Sequence, residues 1–467
     1  MATLPFIPKE ITVHLGAPQD ANAPNVTVPF IDYIQNVASS EIYPTWPENA
    51  LRANIYAQIS FALNRIYTEY YRSRGYPFDI TNSTAYDQYF VYDRDIFDNI
   101  RNIVGEIFDS YIRREGNIEP LYAQYCDGER VSCPGGLSQW GSVALAQQGY
   151  TPFEILRNYY GDNIELVQDV PVGSIAGSAP AYPLQLGSTG DEVRILQLRL
   201  NRISRNYPSI PKIVSPDGIF ATDTEAAVLH FQEIFQLTPD GIVGNATWYA
   251  VERIYAGVKK LNELYSEGIK LQEVTQQYPG VLSRGSIGNG VSTLQFYLNY
   301  VAPYYNTGSA VDIDGVFGAS TEAAVRRFQE IVGLPVDGVV GEQTWYALYN
   351  AYRGIVRTIP VRYTDGNTIP FPGVTLRQGS ESEDVTVLQE YLSYIARELP
   401  EVPSVSVTGY FGEQTRAAVL AIQRLFGIEE SGIVGAITWN AVTSLYNDLY
   451  SGNALEEGQY PGYELGT

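Results

Sequence analysis

Residues 217–251 read DGIFATDTEAAVLHFQEIFQLTPDGIVGNATWYAV, and the chain repeats this sentence twice. Residues 314–348 read DGVFGASTEAAVRRFQEIVGLPVDGVVGEQTWYAL, and residues 408–442 read TGYFGEQTRAAVLAIQRLFGIEESGIVGAITWNAV. Ahead of each copy stands a second recurring block: LGSTGDEVRILQLRLNRI at 186–203, RGSIGNGVSTLQFYLNYV at 284–301 and QGSESEDVTVLQEYLSYI at 378–395. Trp248, Trp345 and Trp439 therefore recur every 94 to 97 residues, the mark of an array of similar supersecondary units. In the first block Val193, Leu196, Leu200 and Ile203 fall three and four apart, which predicts a helix with one apolar face. The longer block opens on a glycine turn and a candidate cap, Thr224, Thr321 or Thr415, with helical spacing after it through Val228, Phe231 and Phe235. A second turn then leads to another Thr cap and a short helix that carries the Trp as a core residue. Each unit reads as a small three-helix module. Helical stretches at 249–270 and 346–354 are expected to run on out of the modules. The recurring Tyr/Phe-Pro-Gly, at Tyr278, Phe371 and Tyr460, reads as an element docking one module on the next.

A chain of 467 residues exceeds what one hydrophobic core serves. The repeats divide it into four: 1–170, then modules at 171–270, 271–360 and 361–467. The expected fold class is multidomain, an α+β amino-terminal catalytic-like domain followed by three small all-α modules. With 30 Lys and Arg against 52 Asp and Glu, the formal charge is −22. That excludes a partner held by its phosphates, so neither nucleic acid nor anionic lipid is expected. No run of 18 apolar residues predicts a membrane span, and the start MATLPFIPKE has neither the basic nor the apolar region of a signal peptide. Cys126 and Cys133 stand seven apart, near enough to bridge, and either a disulfide or two reduced thiols fits the sequence. The 37 tyrosines include many on polar stretches, as carbohydrate grooves do, though tyrosines also fill ordinary interfaces.

In the amino-terminal part, Ile11, Val13 and Leu15 alternate, as do Val26, Val28 and Phe30, predicting two strands around a loop. A helix from Ile31 should end near Ser40. In SSEIYPTWPENALRANIYAQISFALNRIYTEYYRSRG, from Ser39, Pro47 suits a helix start, and Ala50, Ile55, Ile59, Leu63 and Ile66 form an apolar stripe. Glu41 lies just ahead, in a short connection that bears Tyr43 and Trp46.

The repeats resemble the three-helix peptidoglycan-binding domain of cell-wall hydrolases over about 60% of the chain. They follow G-x-x-G/S-x-x-V-x-x-L-Q-x-x-L, D-G-x-F-G-x-x-T-x-x-A-V-x-x-F-Q and D-G-x-V-G-x-x-T-W, with small departures at Ala221, Thr408 and Ile422. That resemblance implies sugar contacts from the turns that bear Asp217 and Asp314. The first 170 residues resemble the stage II sporulation protein D family of lytic transglycosylases. One family motif is met by Glu41, Pro44 (one residue late), Trp46, Pro47, Ala50, Leu51, Arg52 and Ala53. The other is met by SCPGGLSQWGSVALAQQGY from Ser132, followed by Glu154, Ile155, Leu156, Tyr159 and Tyr160. The arrangement looks still more like the clostridial spore cortex-lytic enzymes.

The family resemblance implies Glu41 as catalytic acid, cleaving MurNAc–GlcNAc linkages of spore cortex or sporulation wall. It implies a cleft shaped by Tyr43, Trp46, Ser138, Gln139 and Trp140, with Asp87 and Gln88 at the rim. Asp79 and Asp87 are the carboxylates to consider for hydrolysis instead. Ser138 has no histidine nearby to activate it as a nucleophile. Some family members bind zinc through histidines and cysteines where this chain has TNSTAYD and CPGG. His14 falls in a strand and His230 in a module helix, so no metal and no cofactor is expected. The expected partner is peptidoglycan, with other spore or wall proteins, and the expected place is spore cortex or cell wall, after synthesis in the mother cell without a standard leader. Two other functions compete: a noncatalytic wall-binding adaptor or amidase enhancer, favoured by the missing zinc ligands, and a purely structural role in wall assembly.

Overall fold

The structure is a computed structural model that describes residues 4–168, 170–175, 177–270, 273–274, 278–305, 307–308, 310–358, 368–369, 371–427 and 430–450. An α+β amino-terminal unit precedes helical segments that match the three repeats. After a two-residue β1 (Ile7–Pro8) come the expected strands, β2 (Glu10–His14) and β3 (Asn25–Pro29), antiparallel with Ile11 opposite Val28. A short β4 (Ile80–Thr81) pairs parallel to β2. Helix α1 (Phe30–Glu41) follows β3 directly, and α2 (Glu48–Tyr67) starts after Pro47, whose fixed φ suits a helix entry.

The apolar stripe foreseen on α2 becomes burial on every side, from Ala50 to Arg65, because α1, α3 (Asp98–Ile107), α4 (Gln139–Gln147), α5 (Pro152–Tyr160) and β5 (Tyr111–Arg114) all pack on it. Its polar residues must then find internal partners. Asn54 Nδ2 donates to Ser142 Oγ at 2.8 Å, and Asn64 Nδ2 donates to the carbonyls of Pro120 and Leu261. Strand β5 pairs with β8 (Ile164–Val167), and β6 (Tyr125–Cys126) lies parallel to β7 (Leu137–Ser138).

The modules are α6 (Asp191–Ser204), α7 (Thr222–Ile234) and α8 (Asn245–Val258); α9 (Asn289–Tyr305), α10 (Ala319–Ile331) and α11 (Glu342–Thr358); and α12 (Glu383–Glu398), α13 (Glu413–Leu425) and α14 (Ala436–Tyr450). Trp248, Trp345 and Trp439 are core residues, at 1%, 0% and 1% exposure. The threonines read as caps are not caps. Ala221, Gly318 and Gly412 hold those positions, and Thr224, Thr321 and Thr415 sit in the first helical turn as buried acceptors for a glutamine.

That glutamine is the main local device of the module. Gln197 Nε2 donates to Thr224 Oγ1 and the Ile219 carbonyl, while its Oε1 accepts from the Gly218 amide. Gln232 does the same for the second turn, with Thr247, Ile242 and Gly241. Gln295, Gln329, Gln389 and Gln423 repeat it in the other modules. The clamped glycines adopt φ of 71–80°, a left-handed conformation that disfavours any side chain.

The modules pack onto the amino-terminal unit. Helix α8 stops at Val258 rather than running to 270, and Lys260 turns the chain at φ 56° so that the Leu261 carbonyl meets Asn64. Glu119 accepts from the Ile269 amide, and Glu69 accepts from Ser178, whose hydroxyl in turn accepts from Trp248 Nε1. Modules one and two share one hydrophobic core, which Leu4 and Ile118 join. Gly173 bridges to Ile313 of module two. Phe371-Pro372-Gly373 does act in docking, but on the amino-terminal unit: Tyr56 Oη donates to the Gly373 carbonyl at 3.0 Å and the Phe153 amide to that of Pro372. Pro279 instead packs inside its own module against Gly290, and Tyr460-Pro461-Gly462 lies outside the described residues. No helix among the described residues is long and apolar enough to cross a membrane.

Candidate functional site

Glu41 is the last residue of α1, where the unpaired carbonyls of the helix end disfavour a negative charge. A strap of chain is pulled over that end. Asn36 holds Val91 by both its backbone groups, at 2.7 and 3.0 Å, and Arg94 donates to Ser40 Oγ. The strap carries the Tyr89 amide to within 2.8 Å of Glu41 Oε1, and Gln58 of α2 donates to Oε2 at 2.9 Å. The Tyr125 hydroxyl, which accepts from Gln88 Nε2 at 3.0 Å, faces the same carboxyl. Burial pushes the Glu41 carboxyl up from 4.5 to about 7, against the lowering effect of those three hydrogen bonds. The residue nonetheless keeps part of its surface open.

Beside it stands an aromatic trio. Tyr43 and Trp46 have ring centroids 5.7 Å apart, Tyr43 and Trp140 5.8 Å, and Trp46 and Trp140 4.9 Å. Trp46 is buried, whereas Tyr43 at 58% and Trp140 at 39% present faces to solvent, as does Tyr89 at 48%. Residues from the two sequence motifs, almost a hundred positions apart, thus meet in one surface. Ser138 caps α4 by accepting from the Gly141 amide at 2.9 Å, and Gln139 is buried in that helix's first turn.

Asp87 and Gln88 take other places. The Asp87 side chain has no exposure: it pairs with Arg65 at 2.8 Å and accepts from Tyr71 Oη and from the amide and hydroxyl of Thr81. It anchors the base of the strap and does not reach the surface. Asp79 is likewise committed, to Arg72 at 2.6 Å and the Thr12 amide. Gln88 is fully buried behind Glu41, where it accepts from Tyr33 Oη and donates to Tyr125 Oη, each at 3.0 Å. Tyr125 and Gln58 contact Glu41 and were not singled out from the sequence; a Gln on a fully buried helix was the one available signal.

Cys126 and Cys133 form a disulfide. It closes the loop between β6 and the second motif, beside a cavity of about 400 Å³ lined by Cys126, Cys133, Gly135, Ser138, Asn158 and Tyr159. Cys126 and Cys133 are joined to each other and His14 is bonded to Asn25 and stacked on Phe78; among the described residues no three His, Cys, Asp or Glu side chains are grouped to hold a metal ion. In the modules, Asp217 Oδ1 accepts from the Ile219 amide and Gln197, and Asp314 Oδ1 accepts from the Val316 amide and Gln295. Each thereby stiffens its turn with one carboxylate oxygen.

Residues 189–251, 287–348 and 381–442 match the family described as "Putative peptidoglycan binding domain". Those three segments are members of that family. The chain is 46% identical over 72 residues to the zinc D-Ala-D-Ala carboxypeptidase of Streptomyces albus G, which covers 15% of this chain and 27% of that protein. It is 35% identical over 168 residues to the N-acetylmuramoyl-L-alanine amidase CwlL of Bacillus licheniformis, covering 34% and 43%. It is 42% identical over 88 residues to a spore cortex-lytic enzyme of Bacillus cereus, covering 19% and 32%. The chain thus spans between about a quarter and a half of the length of these relatives.

Proposed function

We propose that this protein cleaves the glycan strands of spore cortex or sporulation-wall peptidoglycan as a lytic transglycosylase of the stage II sporulation protein D type, held on the polymer by its three modules. The observation that carries the reading is Glu41: a carboxyl raised to about 7 by burial, two residues along the chain from an exposed aromatic surface. A general acid works best with a pKa near the working pH, because it is then both protonated and a ready donor. Tyr43 and Trp140 offer faces on which sugar rings stack.

Hydrolysis by the usual route asks for two carboxylates flanking the bond. Asp79 and Asp87, the alternatives in this region, are both buried and spent on arginine pairs. A transglycosylase needs only one. Protonated Glu41 gives its proton to the glycosidic oxygen as the bond from MurNAc C1 to that oxygen breaks. The resulting carboxylate then takes the proton of the MurNAc 6-hydroxyl as its oxygen closes on C1, leaving an anhydro ring and Glu41 protonated again. Wall-directed relatives, among them amidases and a cortex-lytic enzyme, support peptidoglycan as the substrate.

Mass analysis of soluble products from spore cortex and vegetative sacculi, with the protein and with Glu41→Gln, tests this. Anhydromuramyl products that vanish in the variant are expected. Reducing-end products would replace the reading by hydrolysis, and binding without release by an adaptor role.

A further inference from the structure

The groups that face Glu41 come from four elements: Tyr33 of α1, Gln58 of α2, the Tyr89 amide of the strap and Tyr125 of β6. The Asp87–Arg65 pair lies one step further out. The hydrogen bonds among them have a fixed sense. Tyr33 Oη donates to Gln88 Oε1, which leaves Gln88 Nε2 to donate to the Gln58 carbonyl at 3.1 Å and to Tyr125 Oη at 3.0 Å. Tyr125 accepts there, so its own proton is free for Glu41. A tyrosine locked as a donor favours the carboxylate over the acid.

Gln58 is different. Its Nε2 donates to Glu41 Oε2, while its Oε1 has no hydrogen-bond partner among the described residues although the side chain is wholly buried. Leaving a buried acceptor unmet is costly. A carboxylic acid, unlike a carboxylate, has a proton to donate, and the two ends of an amide are nearly the same size. Turned over, Gln58 would present its oxygen to a protonated Glu41 and its Nε2 to the place where Oε1 now has no partner, so no other contact among the described residues fixes the sense of this amide.

We propose that Tyr125 and Gln58 are positioning residues that hold Glu41 in both of its protonation states, Tyr125 as a fixed donor to the carboxylate and Gln58 as a reversible partner that donates to the carboxylate and accepts from the acid. The role in turnover rests on Glu41 being the proton donor of the proposed reaction. In that cycle the group must be acid, then base, without moving, and a partner that serves only one form would let it swing away in the other. The disulfide at Cys126 secures the strand that bears Tyr125.

The test reads Glu41 without catalysis. The full chain is labelled with glutamate bearing ¹³C at the side-chain carboxyl, the Glu41 signal is assigned as the one lost in Glu41→Gln, and its titration is followed in four proteins. Tyr125→Phe is expected to raise the midpoint by about one unit, the size of one charge-assisted hydrogen bond. Tyr33→Phe, which loses a buried hydroxyl that donates to Gln88 instead, should leave it unmoved. Gln58→Leu should move it by less than half as much as Tyr125→Phe, because both states lose a partner. A Gln58→Leu shift as large as that of Tyr125→Phe overturns the reversible role. An unmoved midpoint in Tyr125→Phe, or an equal shift in Tyr33→Phe, overturns the fixed donor. If Tyr125→Phe does not fold, the size of the Gln58→Leu shift still decides: a full unit refutes the proposal. Since no product is measured, these results stand even if the chain cuts no glycan; if it does cut, Tyr125→Phe should move the alkaline limb of kcat upward and leave KM in place.

Discussion

Replacing Glu41 by Gln removes a carboxyl that the folded protein holds at about 7 in place of 4.5. Between those values the folded state keeps a proton that the unfolded chain has lost, so the carboxyl's contribution to stability falls as pH rises through this window and is flat outside it. The ceiling, at about 1.4 kcal/mol per unit, is about 3 kcal/mol. The part of Glu41 that remains open to solvent screens the charge and brings this to about 2 kcal/mol. The substituted amide would keep an acceptor for the Tyr89 amide and offer Gln58 a donor without ever carrying charge. Glu41→Gln is therefore expected to match its parent near pH 4.5 and to exceed it by about 2 kcal/mol at pH 8, or about 4–8 °C in the unfolding of a unit of this size. Scanning calorimetry of both proteins from pH 4 to 8 measures the difference directly. A gap that does not change with pH, or a variant less stable than its parent at pH 8, would refute the argument that burial strains the Glu41 charge.

Truncation after residue 173 should yield a chain that does not unfold cooperatively, whereas truncation after 358, which keeps the core that modules one and two share, should. The shorter piece loses the partners of Asn64, Glu69 and Glu119, at about 1–3 kcal/mol each, and bares the surface that module one covers; circular-dichroism melts of the two pieces decide it. Gln232→Ala should cost about 2–4 kcal/mol by urea unfolding, since it strips one buried side chain of both its donor and its acceptor role, and Gln329→Ala should cost the same in the next module.

The modules were legible because their information is local and said three times: apolar spacing, turn glycines and the recurring Trp all lie within one repeat. What misled was the role of Thr224 and its equivalents. A Thr after a glycine turn is what a cap looks like, yet here the hydroxyl faces inward, because Gln197 one helix earlier needs an acceptor beneath the turn. The glutamine stood in plain sight in each L-Q pair and in the F-Q or I-Q pair after it; its task did not, since it depends on chain reversals that bring together residues 21 and 22 apart at Gln197 and 9 and 10 apart at Gln232.

The site divides the same way. Tyr43, Trp46 and Trp140 were found by motif, and the structure gathers them. Asp87 was drawn to the rim by its place in a polar loop, but Arg65, Tyr71 and Thr81 use up its oxygens, so it builds the strap from below. Tyr125 lies 84 positions from Glu41 on a strand of two residues, too short for any alternation to show, and so had no sequence signature. Its position follows from pairing with Leu137 in the second motif and from the Cys126–Cys133 closure. One end of the disulfide, Cys133, stands in the CPGG stretch where the family resemblance would put a zinc ligand. A cross-link there does what a metal would do mechanically, fixing β6 against the second motif, and does so without adding positive charge. A cation near Glu41 would favour its carboxylate and pull its pKa down. A neutral clasp leaves burial in control, and burial is what brings Glu41 to about 7.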